Sequence, residues 1–365
     1  MGYPVTAAQM AALMGNHQMS TRVTVFRGAE SLGDIPVISV SASATYGTQG
    51  SREALISVDR AVLDAGFLDP LQDQVMIRTG VKDMFEVPIF TGRVDETRDD
   101  ETGEVSVPLI SRGTEVIRAP FIVPWAADIT NTVPEEIRRI LQDVDASWSV
   151  DTGAANAATM PPGLVWEIDR GQACDQLAQG ANLIWQPDRT GGFVVYNNPY
   201  SVGPLLGADV QVFLRDGQNG TTVGIVRNEG RDGIYNSVTV VTERVNNTPP
   251  IRVTAQDLDP VSPTYWGGLF GKQNLVVKNQ TPLEIPDSEA LALRILRQSL
   301  ARQRSFNIQT SHMPLLDPGD VFALIYEGIT YTLVCETINY SGSAREATSI
   351  TARELILREG LTLTQ

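Results

Sequence analysis

The sequence predicts a mainly β protein with α+β insertions. Three observations carry this. The run from Leu315 to Leu357 holds three strand-like segments, Val321–Tyr326, Ile329–Tyr340 and Ala347–Leu357, rich in β-branched and aromatic residues. Pro318-Gly319 punctuates its start, and Ser341, Gly342 and Ser343 break its last two segments. A hairpin of the same plan, Phe85–Asp95 returning through Val105–Ile110, lies near the other end, with Gly103 in its polar loop. Between them, residues 113–205 switch to helical periodicity. Both β runs lack side chains that look chemical, so they read as walls of a scaffold rather than as a pocket.

Length and composition set the bounds. A chain of 365 residues suggests two or three domains at roughly 150 residues each. The net charge of −15 argues against a surface that grips phosphate backbones and suits one that repels nucleic acid. Lys82, Lys272 and Lys278 are the only lysines. Arginine excess follows either from a need for forked donors or, the blander cause, from codon bias in a G+C-rich genome. No run of 18 apolar residues occurs, and no basic segment precedes an apolar run at the N-terminus, so neither a membrane span nor a secretory signal is expected. Cys174 and Cys335 sit far apart in apolar patterns and read as buried free thiols.

The elements follow in order. Met10, Leu13 and Met14 mark a short helix in an N-terminal arm, residues 1–21. Strands are expected at Arg22–Arg27, Ile35–Ala44, Ala54–Asp59, Val75–Val81, Phe85–Val94 and Val105–Ile110, forming a β domain over 22–115. Residues 116–205 form an α+β insertion. Thr132-x-x-Glu135 has capping-box spacing with Pro134 in the first turn, and Val133, Ile137, Ile140, Leu141 and Val144 follow at helical spacing. Ala146–Pro162 reads as a loop. Asp169 caps a helix over Gly171–Gln179, with Ala173, Cys174 and Leu177 inward and Gly180 as the stop. Strands Leu183–Gln186 and Gly192–Asn197 then flank the turn Pro187–Gly191. A second β domain is expected from 206–250 and 305–365, its strongest strand being Asn236–Glu243. Residues 251–304 read as an inserted loop with one strand, Leu275–Lys278, and a helix capped by Asp287 or Ser288, with Leu293, Leu296 and Leu300 in its stripe. The likeness of the two β regions suggests a duplication.

Little of the sequence suits catalysis. His17 and His312 stand in unrelated contexts, too few for a zinc site or a Ser/His triad. Gly191-Gly192 opens no helix, so it does not cradle phosphate. Asn219-Gly220-Thr221 fits no catalytic pattern, and Asn246-Asn247-Thr248 is only a formal glycosylation sequon. Asp99-Asp100-Glu101 could hold a divalent cation but reads better as a solvated loop tip. Glu167 with Asp169, or Asp257 with Asp259, could be a glycosidase pair. Capping explains Asp169 better, and turn chemistry explains Asp257-x-Asp259-Pro260. Trp125, Trp148, Trp166, Trp185 and Trp266 could stack on sugars, with packing the plainer role. No catalytic, cofactor-binding or metal-ligating residue is therefore assigned, no cofactor is expected, and the chain is read as a non-enzyme.

The order of segments resembles a known family. PIFTGRVDE (Pro88–Glu96), GLVWEIDRGQACDQLAQGANLIWQPDRTGGFVVYNNP (Gly163–Pro199), RDGIYNSVTVV (Arg231–Val241), QDLDPVSPT (Gln256–Thr264) and PGDVFALI (Pro318–Ile325) carry it. Together they look like the baseplate hub, or tail-tip hub, proteins of tailed bacteriophages, above all the minor tail proteins of phages infecting actinobacteria. The resemblance implies two tail-tube-like β-barrel domains per chain and a homotrimer whose six barrels match a sixfold tail tube. It implies a structural adaptor in the virion tail tip, assembled in the host cytoplasm. The partners implied are the tail tube or distal tail protein above, a tip, spike or fibre protein below, and the tape measure protein in the channel, with DNA passing without specific binding. The closing meander runs nearly to Gln365, so no appended hydrolase is expected. The rival readings are a receptor- or carbohydrate-binding tail-tip protein and, behind it, a cell-wall glycan hydrolase.

Overall fold

Among the described residues, one sheet of 14 strands draws on both the N-terminal and the C-terminal β regions. The computed structural model describes residues 6–15, 18–47, 49, 51–99, 103–201, 213–216, 221–242, 249–279, 285–342, 347–355 and 361–364. His17, Asp100, Glu101, Asn219, Gly220, Asn246, Asn247, Thr248 and Ser343 lie outside them.

The chain opens with α1 (Ala7–Met14), closed by a capping box between Thr6 and Gln9, and Leu13 enters the main core. The N-terminal strands are β1 (Met19–Arg27), β2 (Glu30–Ile35), β3 (Ser39–Thr45), β4 (Arg52–Asp59), β5 (Asp73–Val81), β6 (Phe85–Val94), β7 (Arg98–Asp99) and β8 (Glu104–Ser111). The short helix α2 (Arg60–Asp64), capped by Asp59, joins β4 to β5. Spatial order is β3-β4-β8-β6-β5-β1-β2. The expected strand Ile35–Ala44 is two strands, because Pro36 has no N–H to continue a ladder. The expected hairpin is present, but β6 pairs along its length with β5 and meets β8 only through Gly92–Val94. The main partner of β8 is β4.

The insertion comprises α3 (Arg112–Arg118), β9 (Trp125–Ala126), α4 (Val133–Val144), β10 (Val150–Ala154), β11 (Val165–Trp166), α5 (Arg170–Gly180), β12 (Leu183–Pro187) and β13 (Phe193–Asn197). Thr132 and Glu135 close the capping box of α4, and Ile137, Ile140 and Leu141 are buried. The Asp169 carboxylate accepts the Gln172 N–H at 2.8 Å and starts α5. That helix runs through Gly180; the left-handed residue that ends it is Asn182, with φ 56°. Part of the expected loop, Val150–Ala154, is a strand parallel to β13. The unit has its own core, which includes Trp148, Trp166, Cys174, Trp185 and Phe193.

The last region holds β14 (Phe213–Arg215), β15 (Thr222–Glu229), β16 (Ser237–Thr242), β17 (Ile251–Asp257), β18 (Asn274–Asn279), α6 (Ile285–Leu300), β19 (Arg304–Thr310), β20 (Val321–Tyr326), β21 (Ile329–Ser341), β22 (Thr348–Glu354) and β23 (Leu361–Thr364). The meander β20-β21-β22 forms as expected. Its long middle strand then pairs with β3, Thr337 opposite Thr45 through Ser341 opposite Ser41. That pairing fuses the two β regions, and one hydrophobic cluster holds Val23, Ile56 and Phe90 together with Phe306, Leu333 and Ile350. Strands β16 and β23, which the sequence places with the second β domain, belong to a separate sheet of order β18-β16-β17-β23. Val238, Val240, Val253 and Ala255 share a core there with Leu291, Ala292, Leu296 and Leu300 of α6. The stripe on α6 is centred on Leu291, Ala292 and Leu296, with Leu293 half-buried. Among the described residues no helix is long and apolar enough to cross a membrane.

Candidate functional site: a buried junction of three segments

The residues weighed for catalysis do not converge. Glu167 is exposed, and Asp169 is spent as the cap of α5. Asp257 is buried, where its Oδ2 accepts the hydroxyls of Ser262 at 2.5 Å and Thr264 at 2.6 Å. Asp259 caps the following turn by accepting the Val261 N–H at 2.9 Å. Asp99, the described member of the acidic run, pairs with Arg60 at 2.8 Å. Cys174 and Cys335 are free and buried. His312 is buried with Nε2 at 3.0 Å from the Thr79 hydroxyl. Gly191, at φ 85°, serves the hairpin turn. Trp148, Trp166 and Trp185 are buried, and Trp125 and Trp266 are half-buried. Among the described residues no group of three His, Cys, Asp or Glu side chains is arranged to hold a metal ion.

The dense polar site lies elsewhere, where three distant segments meet. Arg52 comes from β4, Arg189 from the β12–β13 turn, and Asp317 from the turn before β20. Arg52 Nη2 pairs with Asp317 Oδ2, and Arg189 Nε lies 3.3 Å from Asp317 Oδ1. Arg52 also donates from Nε to the Pro187 carbonyl at 2.9 Å. Both terminal nitrogens of Arg189 donate to main-chain carbonyls, of Pro314 and Leu316. The Tyr340 hydroxyl donates to Leu316 O at 2.6 Å, and the Thr91 hydroxyl donates to Arg189 O at 2.8 Å. Asp320 closes the turn by accepting the Asp317 N–H at 2.8 Å.

Burial disfavours the Asp317 carboxylate, but Arg189 and Arg52 outweigh it and hold the group below its ordinary value. Asp320 has less help, and burial pushes it up to about 6. Gly319 sits between them at φ 88°, and a Cβ there would strike the Tyr196 hydroxyl. Glycine is required on both counts. Ion pairs and hydrogen bonds tie these groups to one another. Their arrangement clamps the N-terminal strands, the insertion and the closing meander in one register.

Sequence reasoning missed this junction. One signal was available. In β4 the inward positions are Arg52, Ala54, Ile56 and Val58, so a charged residue occupies an apolar phase. Arg189 and Asp317 lie in turns, where no periodicity marks them.

No protein-family model matches the chain, and no curated protein matches it. Solved structures do. The tail protein from Neisseria meningitidis MC58 superposes with a TM-score of 0.66 at 13% identity, over 92% of this chain and 96% of that one. The 43 kDa tail protein of prophage MuSo2 from Shewanella oneidensis gives 0.61 at 12%, over 91% and 98%. A type VI secretion component of E. coli, described as structurally similar to the T4 bacteriophage tail proteins gp27 and gp5, gives 0.52 at 12%, over 94% and 78%. The chain has a phage tail-protein fold. Within the tail-protein fold the junction has a clear structural place: it ties the inserted unit to the continuous sheet. At such low identities the shared feature is the arrangement of elements, so side-chain roles rest on this chain's own geometry.

Proposed function

We propose that the chain is the structural hub of a phage tail tip or baseplate, a ring-forming adaptor between the tail tube and the tip. The observation that carries this reading is the tail-protein fold, matched over nearly the whole of both chains. The continuous sheet supports it. Its main strand path ends, among the described residues, at β2 and β15, and β15 exposes Val223 and Val226. Open strand edges invite pairing, and closure into a ring covers them. In this reading three copies assemble, each giving two barrel-like units, 22–115 and parts of 206–365, with 116–205 and 251–304 as insertions. The ring meets the tail tube or distal tail protein on one side and a tip, spike or fibre protein on the other. The tape measure protein and then DNA pass through its bore, which the net charge of −15 keeps from binding DNA. The protein then belongs to the virion tail tip, is assembled in the bacterial cytoplasm and catalyses nothing.

Native mass spectrometry and negative-stain imaging over rising concentration test this. Trimeric rings are expected. Compact monomers at every concentration would rule the ring out.

A further inference from the structure

A cleft of about 400 Å³ opens beside the smaller sheet and shares no residue with the buried junction. One wall is the turn before β16, with Arg231, Asp232 and Tyr235. The other is the end of the loop between β17 and β18, with Phe270 and Gln273. The buried Ile234 also lines it.

Both walls are fixed by polar side chains. Asn236 is fully buried, and its Nδ2 donates to the carbonyls of Thr264 at 2.9 Å and Gly271 at 2.8 Å. Its Oδ1 accepts the Gln273 N–H at 2.9 Å, so one amide ties the loop to the turn. Asp257 gathers Ser262 and Thr264 at the start of the loop. The Tyr235 N–H donates to Ser299 Oγ on α6 at 2.7 Å. Arg231 bridges the walls: Nη2 donates to the Phe270 carbonyl at 2.5 Å, and the guanidinium lies 4.8 Å from the Phe270 ring centroid. Long ordered loops with no regular structure of their own are usually functional.

The polar lining is not used up by the fold. Among the described residues, the Asp232 carboxylate, the Gln273 side-chain amide and the Tyr235 hydroxyl have no partner within the chain, and Arg231 keeps Nε and Nη1. A carboxylate that accepts, a guanidinium that donates, and an amide and a phenol that do both suit hydroxyl groups, which also do both. An anion would meet Asp232 and a chain of net charge −15. A wholly apolar ligand would strip water from these polar groups without replacing its hydrogen bonds.

We propose that this cleft binds a neutral saccharide, its C–H face on the Tyr235 and Phe270 rings and its hydroxyls on Asp232, Gln273 and Arg231. An aromatic surface with a few convergent polar groups is the usual make-up of a small-ligand site. This adds a binding function to the structural one. Each chain carries the cleft whether or not rings form.

The test probes a glycan array of neutral and acidic oligosaccharides with the labelled full-length chain, then titrates the strongest neutral hit by calorimetry. Neutral hits are expected to prevail. Asp232→Asn should weaken binding about tenfold or more, since it loses hydrogen bonds to a charged group. Gln273→Ala should weaken it by a smaller factor. Both side chains are exposed, so both variants should melt with the parent. Lys278→Ala, outside the cleft, should bind as the parent does. The absence of any neutral hit overturns the proposal. So does binding that neither Asp232→Asn nor Gln273→Ala weakens. A preference for acidic glycans, which Asp232→Asn would then strengthen, overturns it as well.

Discussion

Arg52 and Asp317 form a buried ion pair across 265 residues of chain, with side chains only 1% and 12% exposed. Arg189 shares the same carboxylate from the inserted unit. One carboxylate therefore neutralises two guanidinium groups contributed by different parts of the chain.

Asp317→Ala leaves both arginines buried and unpaired. A loss of about 3–5 kcal/mol is expected, in the range for breaking buried pairs from one side. Urea unfolding followed by tryptophan fluorescence measures it. A loss below about 1 kcal/mol would show that the network is solvated and the clamp absent.

Stability should respond to pH in two opposed limbs. The folded-state pKa of Asp320 is about 6 against an ordinary 3.8, so the native state holds its proton more firmly than the unfolded chain. Its contribution is largest at low pH and is lost as pH rises from about 4 to about 6. Asp317 is shifted the other way, so its contribution is present above 3.8 and lost as pH falls further. In melting curves from pH 3 to 8, Asp320→Asn should abolish the upper limb and keep the lower one. An unchanged slope between those pH values counts against this assignment.

Gly319→Ala should cost more than backbone strain alone. The position has φ 88°, and the new methyl would meet the Tyr196 hydroxyl. Strain alone is worth about 1 kcal/mol; with the collision, roughly 2–4 kcal/mol is expected. Tyr196→Phe removes the hydroxyl and should recover part of the loss in a double-mutant cycle. Purely additive effects would mean that the two residues do not collide.

Asp169 and Glu167 separate scaffold from hydrolase. Asp169→Ala should lower stability by about 1 kcal/mol through the lost cap on α5, and Glu167→Ala should change little. Purified peptidoglycan should be untouched by the parent chain and by both variants. Turnover by the parent that either change abolishes would establish the hydrolase reading.

Legibility followed the range of the interaction. The meander at Val321–Glu354 and helices α4 and α5 were readable because local signals coincide with the final structure: β-branched runs, capping residues and helical spacing. Strand β17, Ile251–Asp257, alternates buried and less buried positions, but its Pro- and Gly-rich surroundings masked the pattern. Strand β10, Val150–Ala154, has no apolar pattern strong enough to mark it; its place is set by parallel pairing with β13. The stop of α5 fell on Asn182 because Asn tolerates the left-handed region without a glycine.

The sequence by itself determined the β-rich class, the main helices and the scarcity of catalytic side chains. Local propensity and composition suffice for these, since each is a property of neighbouring residues. Only the tertiary structure decided that β21 pairs with β3 to fuse the two β regions, and that β16 and β23 leave the large sheet for one under α6. It alone brought Arg52, Arg189 and Asp317 together. Strand register and ion pairing across hundreds of residues depend on which surfaces can be buried together, and burial is a property of the whole chain.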